Sequence, residues 1–487
     1  MGDQTQNSKR SVVSSLSWKL MERFGVQGIQ FVLQLVLARV LDPEHYGALS
    51  LMIIFVNLAN IFIQSGFNTA LIQNKDTTDD DYSSVFWVSF GIAGILYGVI
   101  FVCAPLIATL YEMPDVVVPL RVLALMLFPG AIHSVQLAKV SREIDFRKVF
   151  TSNVAAILVS GVIGILIAVM GGGLWALVAQ TMLNVIVATV VMVFTVRLKI
   201  RFFCDWSRIR TLFSFGWKLL ASGLIDTLYQ DIRSLVIGVK YDSGTLGYYN
   251  RGKQFPQFII NAINGAVQSV MLPVLSAKQD EKEQAKSIMR TSMTMSSYII
   301  FPMMAGLAGV ATPMVQLLLT DKWLPCVPYL QIYCFTLAFY PVHTCNLQAI
   351  NAVGRSDVFL KLEIIKKSIG LIALGIAVFC FNSPVAIAMT GVFTTFTSCF
   401  INAYPNKKLI NYSYFEQMRD ILPSFFISVI MLLFVLLVGQ LNLPSIVLLL
   451  LQIVGGGVVY VILSVLLRLE PFKVLFGVLK GKLFAKK

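Results

Sequence analysis

Residues 18–34 read WKLMERFGVQGIQFVLQ, and residues 217–233 read WKLLASGLIDTLYQDIR. Both open on Trp-Lys-Leu, and both set polar side chains into an apolar run at every third or fourth position. In the first stretch these are Lys19, Arg23, Gln27, Gln30 and Gln34. In the second they are Lys218, Ser222, Asp226, Tyr229 or Gln230, and Arg233, with Asp231 close by. Spacings of three and four keep a set of residues on one face of an α-helix. The echo continues downstream. LDPEHYG (41–47) returns as YDSGTLG (241–247), pairing Asp42 with Asp242 and Gly47 with Gly247. Asn57, Gln64 and Asn68 are matched by Gln257, Asn264 and Gln268, and REIDF (142–146) by GRSDVF (354–359). The chain contains an internal repeat, and the repeat preserves polar helix faces.

The solvent for this chain is lipid. Of its 487 residues 57% are hydrophobic and 13% charged, against roughly 25% charged in soluble domains. A spanning helix needs about 20 apolar residues, and the apolar runs here have that length rather than the short alternation of a barrel. About fourteen spans are expected, near 16–40, 46–70, 83–110, 117–138, 149–170, 174–196, 213–239, 252–275, 290–319, 326–350, 361–381, 384–404, 420–440 and 444–467. The first, seventh and eighth are the least hydrophobic. The polar start, MGDQTQNSKRSVVSSLSW, has no short apolar core with a cleavage site after it, so the first apolar run is expected to stay as a span.

The predicted fold class is all-α: a polytopic membrane protein with two pseudo-symmetric six-helix lobes and two C-terminal helices. The expected divisions are 1–205 and 206–410 for the lobes, 411–470 for the added spans and 471–487 for a basic tail. An even number of spans per lobe gives parallel repeats, a known transporter plan with the substrate route between the lobes.

The net charge is +14. Its distribution argues for membrane orientation rather than nucleic acid. Lys139, Arg142, Arg147 and Lys148, then Arg197, Lys199, Arg201, Arg208 and Arg210, then Arg355, Lys361, Lys366 and Lys367 fall in alternate short loops. The positive-inside rule then places both termini in the cytoplasm. The acidic run Asp76 to Asp81 weighs little in that rule. In the tail, Phe472, Phe476, Leu479 and Leu483 recur at helical spacing with Lys473, Lys480 and Lys487 elsewhere, which reads as an amphipathic helix on the anionic leaflet.

A charged group at a helix centre costs about 2.5–3.5 kcal/mol on the lenient insertion scale. Asp226, Asp231 and Arg233 facing lipid would together cost on the order of 8–10 kcal/mol. They are expected to face protein or a water-filled cavity, whereas Lys19 and Arg23 lie near a helix end and can snorkel. Spans one, two, seven and eight are thus expected to line a central cavity of positive potential suited to an anionic head group. Its candidate lining is Lys19, Arg23, Gln27, Gln30, Gln34, Asn57, Gln64, Asn68, Lys218, Asp226, Asp231, Arg233, Gln257, Asn264 and Gln268. Candidates for Na⁺ or proton coupling are Glu22, Asp226, Asp231 and His133; a histidine titrates near neutral pH, although a packing role suits His133 and His343 better.

No GxxxxGK[ST], GxSxG or HExxH motif occurs, and the seven cysteines are scattered without metal-ligand spacing. No catalytic residue, metal or cofactor is expected. Uphill work would draw on an ion gradient, the membrane potential or consumption of the product.

GFNTALIQNKDTTDDDYSSVFW (66–87), FRKVFTSNVAA…GGGLWALVAQ (146–180), YQDIRSLVIGVKYDSGTLGYYNRG (229–252) and SVMLPVLSAKQDE (269–281) together resemble the polysaccharide-transport branch of the multidrug/oligosaccharidyl-lipid/polysaccharide (MOP) exporter superfamily. The chain is most similar in flavour to Wzx-type lipid-linked oligosaccharide flippases of the colanic-acid-exporter-like group, over essentially its whole length. The resemblance implies two six-helix bundles around a cationic cavity, two extra spans and alternating access in a bacterial inner membrane. It implies an undecaprenyl-diphosphate-linked oligosaccharide as cargo. It implies membrane lipids, a polysaccharide polymerase and chain-length proteins as partners. Asp231 matches an acidic position ahead of the family's Ile-Gly pair, here Ile237-Gly238. Two other readings compete: a small-molecule antiporter of the drug-extrusion branch, which typically has twelve spans, and a membrane polymerase or ligase, which would be expected to carry a large outward loop.

Overall fold

The computed structural model describes residues 25–64, 71–72, 77–203, 205–278 and 281–484. The expected site residues Lys19, Glu22, Arg23 and Asn68 lie outside these. The described residues form helices joined by short turns. The chain divides into two compact units, residues 1–247 and 248–487.

The first unit contains α1 (Gln27–Val40), α2 (Pro43–Gln64), α3 (Asp79–Leu110), α4 (Val117–Ala124), α5 (Leu127–Glu143), α6 (Phe146–Val169), α7 (Leu174–Thr195) and α8 (Trp206–Lys240). Helix α9 (Ser243–Ser276) begins in it and continues in the second. The second unit adds α10 (Lys282–Gly309), α11 (Ala311–Leu319), α12 (Val327–Ala338), α13 (Tyr340–Ala352), α14 (Ser356–Cys380), α15 (Pro384–Ala403), α16 (Asn406–Ile410), α17 (Tyr414–Val438), α18 (Ser445–Leu466) and α19 (Glu470–Phe484).

Among the described residues, eight helical stretches are long and apolar enough to cross a membrane, and nine if the 68° bend between α10 and α11 interrupts one span. Several helices expected as spans fall outside that set because they are polar rather than short. Helices α8 and α9 have 35 and 34 residues but carry the polar stripes. Helix α14 has 25 residues and holds Glu363, Lys366 and Lys367 in its first half. Large apolar side chains along α18, among them Leu450, Ile453, Val454, Val458 and Ile462, are exposed, as a lipid-facing surface requires.

Local chemistry explains where these helices start and how they tolerate their exceptions. The acidic run heads α3. Thr78 and Asp81 form a capping box, with the Thr78 N–H donating to Asp81 Oδ2 at 2.8 Å, and Asp79 to Asp81 occupy the positive end of the helix dipole. Pro105, inside α3, has no N–H to offer the Phe101 carbonyl four residues back. Arg121 of α4 fills that role. Its Nε donates to the Phe101 carbonyl at 3.1 Å, and its guanidinium lies 4.0 Å from the centre of the Phe101 ring.

The glycines that the repeat pairs also meet in space. A Cβ on Gly47 would fall 1.7 Å from the Ser243 carbonyl oxygen, and one on Gly247 would fall 2.1 Å from the Pro43 carbonyl oxygen. The starts of α2 and α9 therefore touch backbone to backbone, in the manner of small-residue contacts between membrane helices. Helix α8, which the repeat counts as the first span of the second lobe, packs against α2 and α3.

In the second unit, α17 is bound into the bundle by polar groups. Asn346 of α13 and Gln417 of α17 exchange side-chain hydrogen bonds of 2.8 and 3.0 Å, and Asn406 donates to Asn346 Oδ1 at 2.7 Å. All three side chains are fully buried. At one end, Lys286 pairs with Glu416 at 3.0 Å and Arg290 with Asp420 at 2.6 Å. Buried Tyr412 donates to Asp420 at 2.7 Å, and burial, followed by that carboxylate, pushes its hydroxyl pKa up so that it stays a donor.

Candidate functional site: the polar helix faces

Helices α1 and α8 each present three faces rather than two. At roughly 100° per residue, Gln27, Gln30 and Gln34 share one arc of α1. Ile29, Val32, Val36 and Val40, all exposed, share another, and the buried Leu33 and Leu37 form the third. Gln30 is exposed, and Gln27 and Gln34 are half-buried. On α8, Lys218, Ser222, Asp226 and Gln230 are exposed along one arc that also holds half-buried Arg233. The exposed Ile225, Leu228 and Val239 form the adjacent arc. Ser234 and Gly238 are buried on the third.

An ordinary lipid-exposed helix needs two faces, one packed and one apolar. The additional face here is polar: it is exposed and charged on α8, where it borders the apolar exposed arc, and reaches the surface at Gln30 on α1. Hydrocarbon cannot be its solvent at a tolerable cost.

The charges on α8 divide. Asp226 and Arg233 are seven residues apart and share a face, where the Arg233 guanidinium lies 6.0 Å from the centre of the Tyr229 ring. Asp231 falls on the other side of the helix, about 160° from Arg233 by helical spacing, beside the packed arc. The three therefore do not form one cluster.

The partner stripe is partly engaged. Asn57 and Gln64 of α2 and Gln268 of α9 are exposed. Gln257 donates to Asn261 at 2.8 Å along α9. Asn264 accepts a 2.6 Å hydrogen bond from the Thr344 hydroxyl of α13, so it serves to pack α9 onto α13. His133 of α5 is half-buried, and its Nδ1 has no hydrogen-bond partner among the described residues.

Further polar groups gather around His343 and on α14. Within the second unit, His343 of α13 lies with Nδ1 3.3 Å from Asn402 Nδ2 and Nε2 3.7 Å from Cys399 Sγ, both on α15. Glu363 and Lys366 form a 2.5 Å ion pair on α14, with side chains only 24% and 12% exposed. Lys366 had been counted as a loop residue. The signal was an acid and a base three residues apart, a helical spacing, at the edge of an apolar run.

Comparison with known proteins follows from this geometry. The profile of the polysaccharide biosynthesis protein family matches residues 36–328. The chain belongs to that family. It is thereby a member of the polysaccharide-transport branch of the MOP superfamily, as the resemblance implied. Similar proteins of the family include the succinoglycan biosynthesis transport protein ExoT of Rhizobium meliloti, 24% identical over 76% of this chain and 75% of that one. The lipopolysaccharide biosynthesis protein WzxC of Escherichia coli is 23% identical over 74% and 73%. Among solved structures, the lipid II flippase MurJ in an inward closed conformation superposes with a TM-score of 0.70 at 16% identity, covering 94% of this chain and 99% of that one. An inward-facing multidrug-resistance MATE transporter gives 0.62 at 13% identity, covering 80% and 98%. These likenesses establish the transporter fold of a multi-pass membrane protein.

Proposed function

We propose that this protein is a flippase that carries an undecaprenyl-diphosphate-linked oligosaccharide from the cytoplasmic to the outer leaflet of a bacterial inner membrane, by alternating access, for cell-surface polysaccharide biosynthesis. The observation that carries this reading is the third face of α1 and α8: a polar surface, exposed along α8 and at Gln30 on α1, on two helices that are copies in the repeat. It suits a hydrated sugar and a diphosphate, while the tail of such a cargo would remain in lipid. Arg233, Lys218 and the glutamines would meet the head group, and Asp226 would either neutralise Arg233 or bind a coupling cation.

Two further observations support the reading. The relatives are named as polysaccharide biosynthesis and transport proteins. The flippase likeness extends over 94% of the chain, whereas the drug-transporter likeness leaves a fifth of it uncovered; this weighs against a small-molecule antiporter.

The test is leaflet-resolved. Deleting the gene should leave lipid-linked oligosaccharide on the cytoplasmic leaflet and abolish surface polymer. Vesicles reconstituted with a defined lipid-linked donor should move it to the opposite leaflet, with Na⁺ and proton gradients varied in turn. Normal export with altered polymer length would instead favour a polymerase or ligase.

A further inference from the structure

We propose that α19 is a binding surface for anionic phospholipid, pinned to the second unit at one edge and seated in the membrane interface along the rest. Helix α18 leads to it. Its 22 residues rise about 33 Å, the thickness of the hydrocarbon core, so the chain reaches the interface where α18 ends. It then turns sharply. Arg468 adopts a left-handed backbone at φ 50°. The Leu469 N–H donates to the Ser464 carbonyl and the Arg468 N–H to the Val465 carbonyl, both at 3.1 Å. That pair of bonds is a Schellman motif. It fixes the direction in which α19 departs instead of leaving it to a loose linker.

The helix that follows is held by part of its apolar edge. Phe472 and Leu475 pack against the cluster of Tyr298, Ile427, Met431 and Tyr460. Phe476 stacks on Phe472 with ring centres 5.8 Å apart, yet it is 56% exposed, and Val474 is 49% exposed. The apolar edge of α19 therefore continues past the protein at Phe476, while exposed Val474 lies about 160° round the helix from it. Basic residues accompany it: Arg468, Lys473, Lys480, Lys482, Lys486 and Lys487, against a single acid, Glu470, over residues 468–487. Exposed aromatic and aliphatic groups on a segment this basic in sequence suit a surface of anionic head groups over acyl chains. A soluble acidic partner would use the charge but would leave Phe476 and Val474 in water.

The inference does not depend on the cargo, so it can fail or stand separately from the flippase reading. The experiment uses the full chain in nanodiscs of phosphatidylcholine alone and of phosphatidylcholine with phosphatidylglycerol, with backbone amide exchange followed over residues 470–484. Each surface lysine contributes about fivefold. Exchange should therefore be on the order of a hundredfold slower in the anionic discs. High salt should erase the difference by screening, as should the combined variant Lys473→Gln, Lys480→Gln and Lys482→Gln. Equal exchange in both lipids would overturn the proposal, since packing through Phe472 and Leu475 alone would then hold the helix. Phosphatidylglycerol-dependent protection that survives the triple variant and high salt would also overturn it.

Discussion

At the scale of single residues, the useful distinction is between a charge that holds structure and one that meets cargo. Arg121 is of the first kind. Replacing it with Met should lower stability by about 1–3 kcal/mol, the penalty of a carbonyl left without a donor where lipid stands in place of water, read as a fall in the unfolding temperature of purified protein. Adding Pro105→Ala should recover much of that loss, because an N–H at 105 can then reach the Phe101 carbonyl; no recovery would show that the ring contact matters more. Arg233 is expected to be of the second kind. Arg233→Ala should abolish polymer export with membrane abundance unchanged. A matching fall in abundance would mark it as a structural residue. Asp231→Asn, on the packed side of the same helix, should affect abundance more than export. Both substitutions are scored by immunoblot and surface-polymer assay in the same strain. The sequence alone grouped Asp226, Asp231 and Arg233, because they are close in the chain; the continuous helix separates them by rotation.

At the scale of elements, the repeat was legible as an alignment of residues, but the reason for its most regular feature was not. In sequence Gly47 and Gly247 are simply paired positions of the repeat. They are contact glycines, each against the other segment's backbone, and a carbonyl cannot yield as a side chain can. Gly47→Val or Gly247→Val should destabilise the protein by about 1–3 kcal/mol through overpacking, whereas Gly457→Ala, in open space on α18, should leave the unfolding temperature nearly unchanged. The two ion pairs between α10 and α17 should likewise differ. Asp420 is 10% exposed and shared between Arg290 and Tyr412, while Glu416 is 49% exposed. Arg290→Ala should therefore cost more than Lys286→Ala, for which the surface-pair range of about 0–1 kcal/mol applies.

At the scale of the whole molecule, the two C-terminal spans read in sequence as an addition to a complete twelve-span repeat. Packing makes α17 part of the second unit. Removing residues 411–487 would strip Asn346 of both its Gln417 contacts and uncover the buried face of α10. We expect that truncation to be lost from the membrane rather than to behave as a twelve-span transporter, measured by abundance and by monodispersity in detergent.

What the sequence determined by itself was the solvent, the all-helical class, the repeat and the family, because hydropathy and helical spacing act locally and survive without knowledge of neighbours. It also determined which helices bear polar stripes. It could not determine what each stripe touches. Asn264 proved to be occupied by Thr344, and Asp231 to lie on the side away from Arg233. His343 proved to have Asn402 as its neighbour. Contacts such as that of His343 with Asn402 join residues far apart in the chain, and even within one helix the consequence of a face depends on what packs there. The stripe of polar residues that opens the repeat is the same in both views. Only the tertiary structure resolves it, on α8, into a packed face, an exposed apolar arc and an exposed polar arc.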